Sequence, residues 1–244
     1  MTTATSFSDL VRSRRSVRDF LPDPVAPEVL DAILRDANQS PSWSNTQPYR
    51  IAVATGAVRN QLAEQLTRQF DVGMQAQRNG ITGKLKLLLQ QRYALPDGDF
   101  ETNFAYPKDL QPQRVKTGIG LYKLLGIGRK DHAAREAQMR RNFEFFGAPT
   151  ALFVFVHSGL REFSVLDAGI LMQTLMLSAH ARGLGTCAQG ALATWGGPVR
   201  DAFQVPAGYK LIGGLSLGYP SAHAVNQFNP GRGNPDALLL QPKV

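Results

Sequence analysis

The chain has 244 residues, 43% of them hydrophobic, one cysteine and a formal net charge of +8. This length suits one large domain or two small ones, with enough apolar material for a core. A lone cysteine excludes an internal disulfide and a cysteine-cluster metal site, and no apolar run approaches the roughly 18 residues that a membrane span needs.

The predicted elements follow in chain order. Residues 7–14 form a short helix with Ser8 as cap. Pro27 opens a helix over 27–38, with Val29, Leu30, Ile33 and Leu34 on one face. Tyr49–Thr55 is predicted as strand, 57–70 as amphipathic helix and 81–93 as helix. Residues 96–112 collect turn residues and aromatics and read as loop. Helices are predicted over 115–125 and 131–146. Thr150–His157, an apolar run between Pro149 and Ser158-Gly159, reads as a buried strand. Residues 163–182 form a long helix ended by Gly183. It is apolar nearly all round, which places it in the core of a domain or a dimer. A short helix over 199–203 and a strand over 210–217 complete the list. The result is one α+β domain over 1–244: a small mixed β-sheet covered by helices, an insert at about 96–130, and a tail from Ser221 that extends away from the core. Residues 1–9 are polar and have no apolar signal core, so a cytoplasmic location is expected.

The charge is uneven. Residues 108–141 carry nine basic side chains against Asp109, Asp131 and Glu136. A nucleic-acid surface is one reading of such a segment. A solvated helical face, or a field that attracts small anions, is the preferred one. The segment has no zinc-finger spacing, and its aromatics are better placed for packing. No nucleic acid and no membrane are therefore expected as partners.

Two short stretches carry the chemistry. Arg14-Arg15-Ser16-Val17-Arg18 crowds three guanidinium groups, which stay charged and present a fixed fork of donors. It suits a phosphate and an electron-rich ring; from spacing alone, a solvated helix end is favoured. Pro41-Ser42-Trp43-Ser44-Asn45-Thr46-Gln47-Pro48 offers hydroxyls and amides suited to the edge of a planar heterocycle, although such clusters are also common loops. Together they point to a phosphorylated aromatic cofactor.

These segments, with Gly183-Leu184-Gly185-Thr186-Cys187 and Leu217-Gly218-Tyr219-Pro220, resemble the FMN-dependent nitroreductase family over nearly the whole chain. The middle segment, about 100–130, fits least; a similar extension occurs in nitrobenzoate-reductase-like members. The resemblance implies a nitroreductase-like fold in an interlocked homodimer. It implies FMN as cofactor, NADH or NADPH as electron donor, and nitroaromatic or quinone acceptors. By resemblance, Arg14 and Arg15 hold the FMN phosphate, Ser16 the ribityl chain and Arg18 the pyrimidine edge, with Val17 between them. Pro41, Ser42, Asn45 and Gln47 reach the flavin bound by the other subunit, and backbone at Gln189 and Gly190 faces the flavin N5 that takes the hydride. Arg232 completes the phosphate site. Arg141, Asn142 and Asp167 are further flavin contacts; Asp167 is equally a helix cap. Trp43 and Ser44 border the substrate pocket, and for Trp43 plain packing is an equal alternative. The insert is expected to form a lid or pocket wall. The same fold also serves flavin dehydrogenation or fragmentation, and a basic nucleic-acid-binding domain is the non-enzymatic alternative.

Three other features are read as structural. Gly214-Leu215-Ser216-Leu217-Gly218 matches a serine-hydrolase pattern, but Pro220 follows at once and no acid lies between Ser216 and the only later histidine, His223. Gly118-Ile119-Gly120 and Gly126-Ile127-Gly128 lack the third glycine of a dinucleotide fingerprint. Cys187 is expected to be a buried, inert thiol.

Overall fold

The computed structural model describes residues 6–240 and 242. Its four strands form one sheet: β1 (Tyr49–Thr55), β2 (Thr150–His157), β3 (Gly185–Gln189) and β4 (Tyr209–Gly218), in the order β1-β2-β4-β3. β1 and β2 coincide with the predicted strands. β2 is buried except at its last residue, as a bounded apolar run should be. Successive side chains leave a strand on opposite faces. Phe153 and Phe155 therefore join one core, with Leu62, Leu66, Phe70, Phe143, Phe145 and Leu211. Leu152, Val154 and Val156 join the other, with Ile33, Ala168, Leu171, Leu175, Leu215 and Leu217.

The pairing corrects the expected mixed sheet. All three strand pairs are antiparallel. The parallel component is one bridge, Ser16 beside Thr186, where the chain runs along the free edge of β3. It does not extend into a ladder, because by Phe20 the chain has crossed to bridge Pro220.

The helices are α1 (Phe7–Ser13), α2 (Pro27–Ala37), α3 (Gly56–Arg78), α4 (Gly80–Gln90), α5 (Gln111–Leu124), α6 (His132–Arg140), α7 (Glu162–Ala181) and α8 (Gly197–Ala202). Ser6, not Ser8, caps α1, its hydroxyl accepting from the Asp9 amide. α3 outruns its predicted end at Phe70; buried Ala76 extends its inward face, and Asn79 separates it from α4, which opens on Gly80 at φ +59°. α6 stops at Arg140, short of Phe146. Phe145 and Phe146 adopt φ +55° and +54°, and this left-handed turn buries both rings.

α7 is apolar all round, as read from the sequence. Ala168, Leu171, Leu175 and Ala179 are buried against the sheet, whereas Phe163, Val165, Leu166 and Ile170 stay exposed on the single chain. The tail departs from expectation. Instead of leaving at Ser221, the chain folds back, with Val225 and Asn226 buried; residues 231–240 are exposed. The insert is pinned where it begins. Asp97 accepts from the amides of Gly196 and Gly197 at 2.7 and 3.0 Å. Asp99 accepts from Leu211 N at 2.7 Å. Farther along, α5 has no buried residue and approaches the returning tail, where a Cβ on Gly120 would lie 3.1 Å from the Phe228 ring. Among the described residues no helix is long and apolar enough to cross a membrane.

Candidate functional site

The arginine segment is held open against β3. At Arg14 the backbone leaves α1 in an extended conformation. The Val17 amide then donates to Thr186 O at 2.9 Å, and the Val17 side chain is buried. Gly185 makes this fit possible: a Cβ there would stand 2.5 Å from Val17 Cγ2. The glycine thus permits close approach of the Val17 side chain.

The returning tail clamps the same segment. Asn226, 6% exposed, accepts through Oδ1 from the amides of Arg18 and Asp19 at 2.8 and 3.2 Å. Its Nδ2 donates to Asp19 O at 2.7 Å and Ser221 O at 3.0 Å. Arg15 Nη1 donates to Gln227 Oε1 at 3.1 Å. Sequence reasoning did not single out Asn226, because an asparagine in a polar tail carries no local signal.

The electrostatics of this corner are one-sided. Among the described residues, no ion pair involves Arg14, Arg15, Arg18 or Arg232. Among the described residues, the Arg18 side chain donates one hydrogen bond, to Ser16 O at 3.4 Å. Burial lowers the pKa of Arg14 from its ordinary value, and repulsion from Arg232 lowers it further. The charge of Arg232 is thus felt at Arg14. Cations without an ion-pair partner among the described residues, one of them partly desolvated, can hold an anion. The fit with a phosphorylated cofactor rests on this observation.

Other candidates are occupied differently. Arg141 pairs with Asp19 at 2.8 Å and donates to Phe146 O at 3.2 Å, so it braces the segment from behind. Asp19 is held below the usual carboxylate range: burial opposes this, and hydrogen bonds from Ser221 and Arg141 outweigh it. Gln189 is buried. Its Nε2 donates to Asn142 O at 2.8 Å, and its Oε1 accepts from Ser216 Oγ. Ser216 is fully buried in β4, consistent with a strand residue and not a nucleophile. Gly190, at the end of β3, borders open space, so the backbone here is accessible from one side. Cys187 is buried, and burial pushes its thiol up to about 11.

The second stretch forms a tight turn at Trp43–Asn45, with φ of +48° at Ser44, +54° at Asn45 and +47° at Gln47. Three such residues in one loop are sterically costly and persist only where surroundings hold them. The Trp43 amide donates to buried Asp167 at 3.0 Å, and Ser42 Oγ accepts from Gln47 N at 2.9 Å. Gln47 Nε2 donates to Asn45 Oδ1 at 3.2 Å. Within the chain, Asp167 therefore anchors this loop; lying in the second turn of α7, it does not cap the helix. Pro41, Ser44, Asn45 and Gln47 are exposed, and Trp43, 53% exposed, lies against Phe163 with ring centres 4.3 Å apart.

The two stretches do not meet. The loop is tied to Asp167 near the start of α7, while Ser13, next to the arginines, contacts His180 at its end. At 1.5 Å per residue these anchors stand about 20 Å apart.

A sequence profile of the nitroreductase family matches residues 11–219, and the chain belongs to that family. It is 34% identical to a 4-nitrobenzoate reductase of Pseudomonas putida over 222 residues, covering 89% of this chain and 87% of the relative. It is 31% identical to a nitrobenzene nitroreductase of Ectopseudomonas oleovorans, covering 90% and 88%. Its fold is similar to the crystal structure of the FMN-dependent nitroreductase NfnB from Mycobacterium smegmatis in complex with NADPH, with a TM-score of 0.81, 30% identity and 97% of each chain covered.

Proposed function

We propose that this protein is an FMN-dependent nitroreductase that uses NADH or NADPH to reduce nitroaromatic compounds. Family membership and the named activities of its relatives support the class. The observation that carries the cofactor assignment is that Arg14, Arg15 and Arg232 have no ion-pair partner among the described residues, while Arg14 feels the charge of Arg232. Bound FMN supplies the two-electron chemistry, accepting hydride from a reduced nicotinamide and passing it to an acceptor.

The protein's own residues bind, orient and tune. Arg14, Arg15 and Arg232 hold the phosphate. Ser16, half-buried at its bridge to Thr186, serves the ribityl chain. Arg18 places a cation at the pyrimidine edge and stabilises negative charge there. Backbone at Gln189 and Gly190 borders the reacting side. Arg141 and Asn142 position this wall through Asp19 and Gln189.

The separation of the two stretches favours a homodimer. Pro41, Ser42, Ser44, Asn45 and Gln47 serve the site of a second copy, and the exposed face of α7 with Trp43 packs against that copy. The segment 96–130, resting on the tail turn beside the arginines, forms the outer pocket wall. Its aromatics take up nearby cations: Arg114 lies 4.6 Å from the Tyr106 ring centre, and Arg135 of α6 lies 4.9 Å from that of Tyr122. Such pairing favours a packed wall over an open nucleic-acid surface.

One site serves nicotinamide and acceptor in turn, and quinones are accepted as well as nitroaromatics. The test is steady-state turnover of FMN-loaded protein with both nicotinamides against 4-nitrobenzoate, nitrobenzene and a quinone. Acceptor-dependent oxidation of at least one nicotinamide with parallel double-reciprocal lines is the expected result. Intersecting lines overturn the shared site, and absence of nitroaromatic turnover overturns the activity.

A further inference from the structure

We propose that His180 belongs to the phosphate end of the site and takes up a proton when the FMN phosphate binds. The inference rests on the reading of Arg14, Arg15 and Arg232 as phosphate ligands. His180, in the last turn of α7, meets the end of α1 through Ser13 Oγ, 2.8 Å from its Nε2. The same hydroxyl lies 2.7 Å from Asp9 O and 3.3 Å from Leu10 O. With the hydroxyl proton given to Asp9 O, the shorter of its two carbonyl contacts, Nε2–H donates to Ser13 Oγ. In this tautomer Nδ1 is the nitrogen that takes the second proton.

The surroundings set when that happens. Charged groups on the neighbouring elements are Asp9, Arg12, Arg14 and Arg15 in and after α1, Glu28, Asp31, Arg35 and Asp36 of α2, where Asp31 and Arg35 pair with each other, and Arg182 beyond α7. Asp36 and Arg182 are paired with each other, and Asp9 accepts from Ser6. Cys187 of β3 is a buried, neutral thiol. Burial first, then Arg14 and Arg15, hold the imidazole pKa below its ordinary value. The terminal carbonyls of α7 act the other way and favour a cation, but do not prevail. A bound phosphate with a charge of about −2 offsets the two arginines. The balance then shifts towards the imidazolium. His180 has a higher proton affinity in the complex than in the apoprotein, so binding consumes a proton and strengthens as pH falls through the interval between the two pKa values.

The experiment is calorimetric titration of apoprotein with FMN in buffers of different ionisation enthalpy, for wild type and His180→Gln. Glutamine keeps a donor towards Ser13 and cannot titrate. Any proton change on the FMN phosphate itself is common to both proteins and cancels. The wild type should take up more protons per FMN than the variant, and its affinity should rise more steeply as pH falls. Riboflavin separates the two ideas. If the wild type does not discriminate FMN from riboflavin, the phosphate assignment fails. If it discriminates but proton uptake equals that of His180→Gln, the role of His180 is overturned. Should the variant not fold, proton NMR of the wild type, which has four histidines, decides. One imidazole titration must move to higher pH on adding FMN; if none moves, the proposal is overturned.

Discussion

Replacing Asn226 by alanine tests whether the returning tail builds the arginine site. The side chain is 6% exposed and makes four hydrogen bonds, two accepted from Arg18 N and Asp19 N and two donated to Asp19 O and Ser221 O. Each contributes about 0.5–1.5 kcal/mol net, and a buried backbone group left without a partner costs about 1–3 kcal/mol. Water can reach part of the gap, so the expected loss is about 2–4 kcal/mol, measured by urea unfolding of the apoprotein. The arginines on the released segment should also bind FMN at least about tenfold more weakly, the equivalent of 1.4 kcal/mol. Asn229→Ala is the control. Asn229 is exposed and accepts only from Gly231 N, so its loss should stay within about 0.5 kcal/mol. If Asn226→Ala behaves like Asn229→Ala in both assays, the tail is a passive appendage and the clamp argument is wrong.

Three further outcomes are expected. Trp43→Ser should retain FMN but change kcat/KM unequally across acceptors of different size, by roughly 1 kcal/mol or several-fold each; a uniform change returns Trp43 to plain packing against Phe163. Cys187, buried with its thiol raised to about 11, should resist alkylation in native protein at neutral pH and react on unfolding; rapid native labelling would refute its burial. Asp19 has a lowered pKa, so its contribution to stability is present above the ordinary carboxylate value and disappears as pH falls through the lower, folded value. The stability difference between wild type and Asp19→Asn should therefore be constant near neutrality and shrink in acid; a difference that grows in acid contradicts the sign.

β1 and β2 were legible because each is an apolar run bounded by turn residues, and α2 because Pro27 and its apolar face mark it. β3 was not: Gly185-Thr186-Cys187-Ala188-Gln189 is short and opens on glycine, and only pairing with β4 makes it a strand. Strand direction was equally hidden, since it is decided by partners far apart in sequence. The arginines were legible as a charged cluster and through the family wording. That Arg14 feels the charge of Arg232, that Arg141 is paired with Asp19, and that Asp167 holds the Trp43 turn depend on tertiary structure. Asn226 escaped notice for the same reason: its partners lie some two hundred residues upstream.

The most direct test of the phosphate site compares FMN with riboflavin binding to the wild type and to Arg14→Ala. Loss of two charge-assisted hydrogen bonds, about 1.5–3 kcal/mol each, means that the wild type should bind FMN at least about 100-fold more tightly than riboflavin. Arg14→Ala should narrow this ratio by about tenfold or more through weaker FMN binding, with riboflavin affinity unchanged. The apoprotein of that variant should not lose stability, because Arg14 and Arg232 repel each other in the empty site. Equal affinities for FMN and riboflavin in the wild type would contradict the account.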